Sequence, residues 1–319
     1  MTSGGIRRSF MAWAALALAS FGSTAQAARG PWQVNMQRGV TTWSSVPYHL
    51  NSISLGVCAV IGTLVFGAMF IAMFRFRKSR GAVAEKWSHN TTLEIVWTTI
   101  PVIILVVLAY LSTKGLTSWA DTTGSQMTVK VTGYQWKWRY DYISYLGKPV
   151  DKVGFMSKLD SLSDQTRQLG SGMDPYAVKV GTENTYLLNV DKPLVVPVDT
   201  KIRFLITGGD VIHSWWVPAL GWKVDAIPGT INAAWTNIKT PGTYRGQCAL
   251  LCGQDHGFMP IVVVAKSKAD FAKWLAAQEA KSAAPAAAPA PAAAPAAAST
   301  AAAPQTAQVA VAPAKGKQG

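Results

Sequence analysis

The residues best suited to chemistry lie close together. Cys248, Cys252, His256 and Met259 read Cys-x3-Cys-x3-His-x2-Met within Gln247-Cys248-Ala249-Leu250-Leu251-Cys252-Gly253-Gln254-Asp255-His256-Gly257-Phe258-Met259. A further histidine, His213, stands upstream in Gly209-Asp210-Val211-Ile212-His213-Ser214-Trp215. Thiolate, imidazole and thioether form a soft donor set, the kind copper prefers. One cysteine, two histidines and a weak methionine would suit a mononuclear blue-copper centre. With two cysteines, two thiolates can instead bridge two copper ions, each completed by one histidine and one weak ligand. A dithiol redox motif reads Cys-x-x-Cys beside a βαβ unit, and neither is present. Structural zinc takes four strong ligands and has no use for the methionine. Taken singly, Met259 reads as core and His213 as structural. Only the joint spacing carries the signal.

Such a constellation needs a rigid frame, and short β-rich runs surround it: Met127–Thr132, Gln135–Tyr142, Thr185–Val190, Lys201–Ile206, Ala234–Ile238, Gly242–Gln247 and Pro260–Ala265. Turn signals separate several of them, among them Gly208-Gly209-Asp210, Pro228-Gly229 and Pro241-Gly242. Short strands with turns between them predict a β-sandwich or barrel. The segment Lys152–Tyr176 is polar and irregular, an excursion from the sheet. Ala269–Ala280 reads as a closing helix, with Phe271, Trp274 and Leu275 on one face. The domain is placed at 114–280.

The rest of the chain is apolar and positively charged. Of 319 residues, 49% are hydrophobic and 14% charged, against about 25% charged in ordinary soluble domains. Ile53–Phe74 and Leu93–Leu111 each approach the ~20 residues that a bilayer core requires. Arg75, Arg77, Lys78, Arg80 and Lys86 lie between them. The positive-inside rule makes that loop, 75–92, cytoplasmic. Residues 53–113 thus read as a transmembrane hairpin with both flanks outside. Residues 1–27 fit a cleaved secretory signal, with Arg7 and Arg8, the apolar run Phe10–Phe21 and Ala25-Gln26-Ala27. Residues 28–52 then form an exported segment, and the Ala/Pro-rich tail 281–319 has no means of building a core. The expected setting is a bacterial inner membrane, with the β domain and both mature termini in the periplasm. The net charge of +14 invites a nucleic-acid partner. Two of the positive residues lie in the signal and five in the loop, so the charge is topology and no nucleic acid is expected. Cys58, mid-membrane, reads as a small apolar filler. No Cys-x-x-Cys-His occurs, which excludes covalent c-type haem.

The stretch Asp210-Val-Ile-His-Ser-Trp-Trp-Val-Pro-Ala-Leu-Gly-Trp-Lys-Val-Asp-Ala-Ile-Pro-Gly229, followed by the cysteine motif, resembles the subunit II family of haem–copper cytochrome c oxidases. The resemblance covers roughly 50–275. It implies an all-β, cupredoxin-like Greek-key barrel anchored by the two-helix hairpin and carrying the binuclear copper centre called Cu-A. Position by position, it implies that His213, Cys248, Cys252, His256 and Met259 are ligands through their side chains. Leu250 would bind through its backbone carbonyl. Most of the family has glutamate at Leu250, whose carboxylate reaches a magnesium or manganese ion at the subunit I boundary. Leucine has none, so that contribution is expected to be lost or replaced.

The resemblance further implies that Trp136, in Gly133-Tyr134-Gln135-Trp136-Lys137-Trp138, accepts electrons from cytochrome c. Trp138 reads as packing. Glu94, at the start of the second membrane helix, matches a carboxylate near the cytoplasmic mouth of a proton path into subunit I. Asp191 and Asp210 fall at docking positions for cytochrome c. Yet Lys and Arg outnumber Asp and Glu over Thr117–Ala280, so the donor is expected to be a less basic or membrane-held cytochrome. The expected activity is that of an oxidase subunit passing electrons to haem in subunit I, where oxygen is reduced to water and protons are pumped. A quinol-oxidase relative would lack the cysteines and histidines, and a copper carrier would not need the hairpin. Nitrous-oxide reductase shares the copper motif within a larger soluble chain.

Overall fold

The computed structural model describes residues 33–84, 86–150, 152–180 and 183–283. The signal at 1–27 and the tail beyond 283 lie outside them.

Among the described residues two long helices come first, α1 (Ser45–Arg75) and α2 (Thr91–Ala120). Each is longer than its apolar run and has a mean hydropathy of 2.3 or more across its most apolar window. Thirty or more residues span about 45 Å at the usual helical rise, ample for a bilayer core. Their apolar side chains point outward, with Gly115 the one buried residue, as lipid-facing helices require. Asn90 caps α2 by accepting from the Leu93 N–H at 3.1 Å.

The β domain is built from two packed sheets and a separate two-stranded pair. The strands are β1 (Met127–Tyr134), β2 (Lys137–Tyr145), β3 (Lys148–Pro149), β4 (Gly154–Ser157), β5 (Lys179–Val180), β6 (Glu183–Asn184), β7 (Leu194–Pro197), β8 (Ile202–Gly208), β9 (His213–Val217), β10 (Trp222–Ala226), β11 (Asn232–Thr236), β12 (Gly242–Cys248) and β13 (Pro260–Lys266). One sheet runs β11-β8-β1-β2-β3, with β4 also on β2; the other runs β10-β9-β12-β13-β7. β5 and β6 pair with each other, apart from both sheets. Pairing is antiparallel except β1 with β8 and β7 with β13. The facing surfaces bury Trp138, Tyr140, Phe204, Trp215, Trp222 and Ile261 between the sheets, the expected location of a sandwich core.

Three details differ from the sequence reading. Thr185–Val190 is a turn, closed by Leu188 N–H to Thr185 O at 2.9 Å, with Leu187 in the left-handed region. The β9–β10 hairpin and β7 add strands to those read from the sequence. The excursion at 152–176 holds β4 and a short helix, α3 (Ser161–Thr166). The closing helix, α4 (Lys268–Ala283), buries Phe271 and Leu275 as expected.

The barrel is fastened to the hairpin. Trp119 of α2 lies between Trp43 and Trp222, with ring centroids 6.0 and 6.5 Å apart. Lys201 Nζ donates to the carbonyls of Asp121 and Thr123 at 2.9 and 2.8 Å. The segment before α1 is stitched to the barrel by Val40 N–H to Ala219 O and Lys239 N–H to Val40 O.

Candidate metal centre

Two segments at one end of the barrel carry the predicted donors. β12 ends on Cys248, and the chain makes a short turn through Cys252 and His256 before β13 begins at Pro260. β9 begins on His213 and pairs with β12, so that Cys248 stands opposite Trp215. The β1–β2 connection, Gln135 and Trp136, contacts both.

The donor atoms converge. Cys248 Sγ and Cys252 Sγ are 3.9 Å apart. Cys252 Sγ is 3.5 Å from His256 Nδ1 and 3.5 Å from Met259 Sδ. The Leu250 carbonyl oxygen lies 3.4 Å from Cys248 Sγ. His213, Cys248 and Cys252 place one donor atom each within 4.8 Å of one another. His213, Cys248, Cys252 and Met259 are all buried, whereas His256 is half-buried.

The orientation of His213 is fixed by one nitrogen. Nε2 meets Asp210 Oδ1 at 2.8 Å, and Nδ1 is buried with no hydrogen-bond partner. A buried polar atom without a partner is costly unless something occupies its lone pair. Burial disfavours the charged form of His213, yet Cys248 and Asp210 beside it hold its pKa above the usual value. Burial also pushes the Cys248 thiol up, but His213 and backbone groups of Leu250 and Ser214 more than offset it, and the net shift is downward. The Cys252 thiol is driven up by burial and by the Cys248 charge. Ionisation of one thiol therefore opposes ionisation of its neighbour. These residues fit a soft metal ion.

The surroundings are close and polar where they need to be. Trp138 Nε1 donates to Met259 O at 3.3 Å. Gln135 ties two loops together: its N–H donates to Asp210 Oδ2 at 2.7 Å and its Nε2 to Cys252 O at 3.0 Å. Gly253, at φ 123°, lies under the Trp136 indole; a Cβ there would sit 3.2 Å from Trp136 Cζ2. Gly133 is as tight, since a Cβ would meet His213 Cδ2 at 2.8 Å. The sequence reading did not single out Gln135 or Gly133, because neither carries metal chemistry.

The other expected residues fall in different places. Asp191 accepts the Lys158 N–H at 2.9 Å and lines a cavity of about 430 Å³ beside Trp136, with Asp160, Asp164, Asp255 and Arg167. Asp210 faces His213 and Gln135 with its two oxygens, with a third of its side chain exposed. Glu94, in the first turn of α2, meets His89 Nδ1 at 3.1 Å on an open surface, far along the chain from the metal-competent cluster.

Residues 127–266 match the family model for the cytochrome c oxidase subunit II periplasmic domain, and residues 29–114 match its transmembrane domain. A probable cytochrome c oxidase subunit 2 of Rickettsia prowazekii is 40% identical over 245 residues, covering 77% of this chain and 72% of its own. Subunit 2 of Cereibacter sphaeroides is 35% identical, covering 71% and 74%. The solved periplasmic domain of subunit II from Bradyrhizobium japonicum is 35% identical and covers 50% of this chain and 99% of its own, with a TM-score of 0.41. The helices accordingly lie in the bacterial inner membrane and the β domain in the periplasm. Sequence motif, two-sheet domain and helical hairpin agree: the chain belongs to the subunit II family of cytochrome c oxidase, part of a respiratory oxidoreductase that works with other oxidase subunits.

Proposed function

We propose that the chain holds a binuclear copper centre of the Cu-A type, through His213, Cys248, the Leu250 carbonyl, Cys252, His256 and Met259. When bound, the copper pair supplies a one-electron carrier. The observation that carries this reading is His213 Nδ1, buried and unpartnered beside Cys248 while Asp210 fixes the opposite nitrogen. A carboxylate behind a metal-binding histidine sets its tautomer and raises its basicity. The two thiols are close enough to share metal ions, and His256 and Met259 flank Cys252 at equal distances. Burial in a rigid barrel keeps the donors from rearranging as the charge changes.

Electrons come from cytochrome c at Trp136, whose indole rests on the backbone of Gly253, next to Cys252. They leave toward haem in subunit I. Asp191 and Asp210 are assigned to cytochrome docking, Asp191 from the cavity beside Trp136. That cavity mixes acids with Lys137, Lys158 and Arg167, which favours a weakly basic donor. Glu94 takes protons at the cytoplasmic mouth of a path into subunit I, the loop 75–92 being cytoplasmic. Magnesium or manganese receives no carboxylate from Leu250.

The full chain, purified in detergent and loaded with copper, tests the reading. Two coppers per chain and a purple, mixed-valence spectrum are expected. A colourless product, or one copper per chain, overturns it.

A further inference from the structure

The excursion between β4 and β7 delivers one cation to the ligand loop. Arg167 follows α3 directly, and its guanidinium lies over the Phe258 ring, Cζ 4.3 Å from the centroid. Its Nε is 2.7 Å from Asp164 Oδ1 on the same excursion, and an amino nitrogen is 3.5 Å from Asp255 Oδ1 on the loop. Arginine suits this task because its planar fork can stack on a ring and pair at its edges together. The side chain is 22% exposed, so solvent screens these contacts only in part.

Both ends of this bridge matter. Asp255 immediately precedes His256, and Phe258 immediately precedes Met259. The turn between them is a single 3-10 turn, closed by His256 N–H to Gly253 O at 3.2 Å and Phe258 N–H to Asp255 O at 2.9 Å. From the inner side it is held by Trp138 on Met259 O and by Gln135 on Cys252 O. On the outer side Arg167 contacts it at two points. The anchor behind Arg167 is itself fixed: Asp160 caps α3 through the Ser163 N–H at 3.0 Å, and Ser163 Oγ accepts from Leu187 N–H at 3.3 Å. Lys158 N–H is bound by Asp191 at 2.9 Å.

We propose that Arg167 is a positioning residue for the metal centre, clamping the His256–Met259 turn from outside and placing a fixed positive charge behind both donors. The charge half rests on the copper reading above; the clamp half does not. A cation near a redox centre favours the form with the extra electron. Without Arg167, the carboxylates of Asp164 and Asp255 lose the charge they pair with, so the midpoint potential falls.

The test uses the full chain in detergent as wild type, Arg167→Ala and Arg167→Lys. In the metal-free state, hydrogen exchange over residues 253–259 is expected to quicken about tenfold or more in Arg167→Ala. After copper loading, loss of metal to a chelator is expected to quicken about tenfold, the lower end for groups behind the ligands, with a lowered potential. Arg167→Lys keeps the charge and loses the stacked fork, so exchange and metal loss quicken while the potential stays near that of the wild type. Arg167→Gln carries the comparison if the alanine variant does not fold. Wild-type exchange and wild-type metal loss in the variants overturn the proposal. If the wild type itself takes up no copper pair, the copper reading fails, and the exchange comparison still decides the clamp.

Discussion

Asp210 Oδ1 holds His213 Nε2 at 2.8 Å, and this single contact points the other imidazole nitrogen at Cys248. The second Asp210 oxygen takes the Gln135 N–H, so the carboxylate cannot swing away without breaking a bond to another loop. Burial raises the Asp210 pKa, but these donors more than offset it, and the group is ionised well below neutrality.

Replacing Asp210 with Asn keeps an acceptor for His213 and removes the charge. Copper retention should weaken by about tenfold, toward the lower end for groups behind a ligand. The midpoint potential should rise, because a negative charge near the oxidised centre is gone. Chelator competition and a redox titration of the copper-loaded chain measure both. An unchanged potential would show that Asp210 does not act on the centre.

Gly133 leaves no room beside His213. A Cβ would come 2.8 Å from Cδ2 and 3.0 Å from Cβ of the ring-bearing side chain, closer than van der Waals contact permits. Gly133→Ala should therefore displace the imidazole while β1 keeps its pairing with β8, which runs through Gly133 and Gly208. Copper uptake is expected to drop to half or less, with a cost in thermal stability of about 1–3 kcal/mol for overpacking. Metal analysis alongside thermal unfolding separates the two effects; full uptake of copper contradicts the close fit.

Some of this was legible in the chain and some was not. The ligand spacing, the two membrane runs and β1, β8, β12 and β13 follow from local pattern, because each is coded within a dozen residues. β9 escaped because Ser214, Trp215 and Val217 are buried and Trp216 is half-buried, leaving no clean alternation of apolar and polar residues. β10 does alternate, with Trp222, Val224 and Ala226 buried around Lys223 and Asp225, and was open to reading. Thr185–Val190 looked like a strand from its β-favouring residues, yet Leu187 takes a left-handed conformation, which local propensity does not foresee. Arg167 and Gln135 act across the chain on residues distant in sequence. Asp210 was legible only as a docking acid; its hold on His213 depends on where the β1–β2 connection passes.

Glu94 gives a prediction that separates proton from electron chemistry. It sits in the first turn of α2, where the helix dipole favours an acid, and its carboxylate meets the exposed His89. Both lie in the stretch that opens α2, away from the His213, Cys248 and Cys252 cluster. Glu94→Ala should slow oxidase turnover in the assembled complex and leave the copper spectrum of the chain unchanged. Wild-type turnover would remove Glu94 from the proton path, and an altered spectrum would show that the variant disturbs the fold.

Leu250 offers a gain-of-function test. Its carbonyl lies against Cys248 Sγ, a contact that any side chain at this position permits, and the side chain itself is half-buried between Ala249 and the exposed Leu251. Backbone chemistry and side-chain chemistry are therefore separable here. Leu250→Glu should keep the copper content and spectrum, since the carbonyl is retained, and should add a carboxylate of the kind magnesium and manganese prefer. In the assembled oxidase the variant is expected to retain manganese through purification more fully than the wild type, read by metal analysis. Equal manganese in both would mean that the neighbouring subunit already supplies every oxygen such an ion needs. Loss of copper from the variant would mean that the leucine side chain, and not only its carbonyl, supports the cysteine loop.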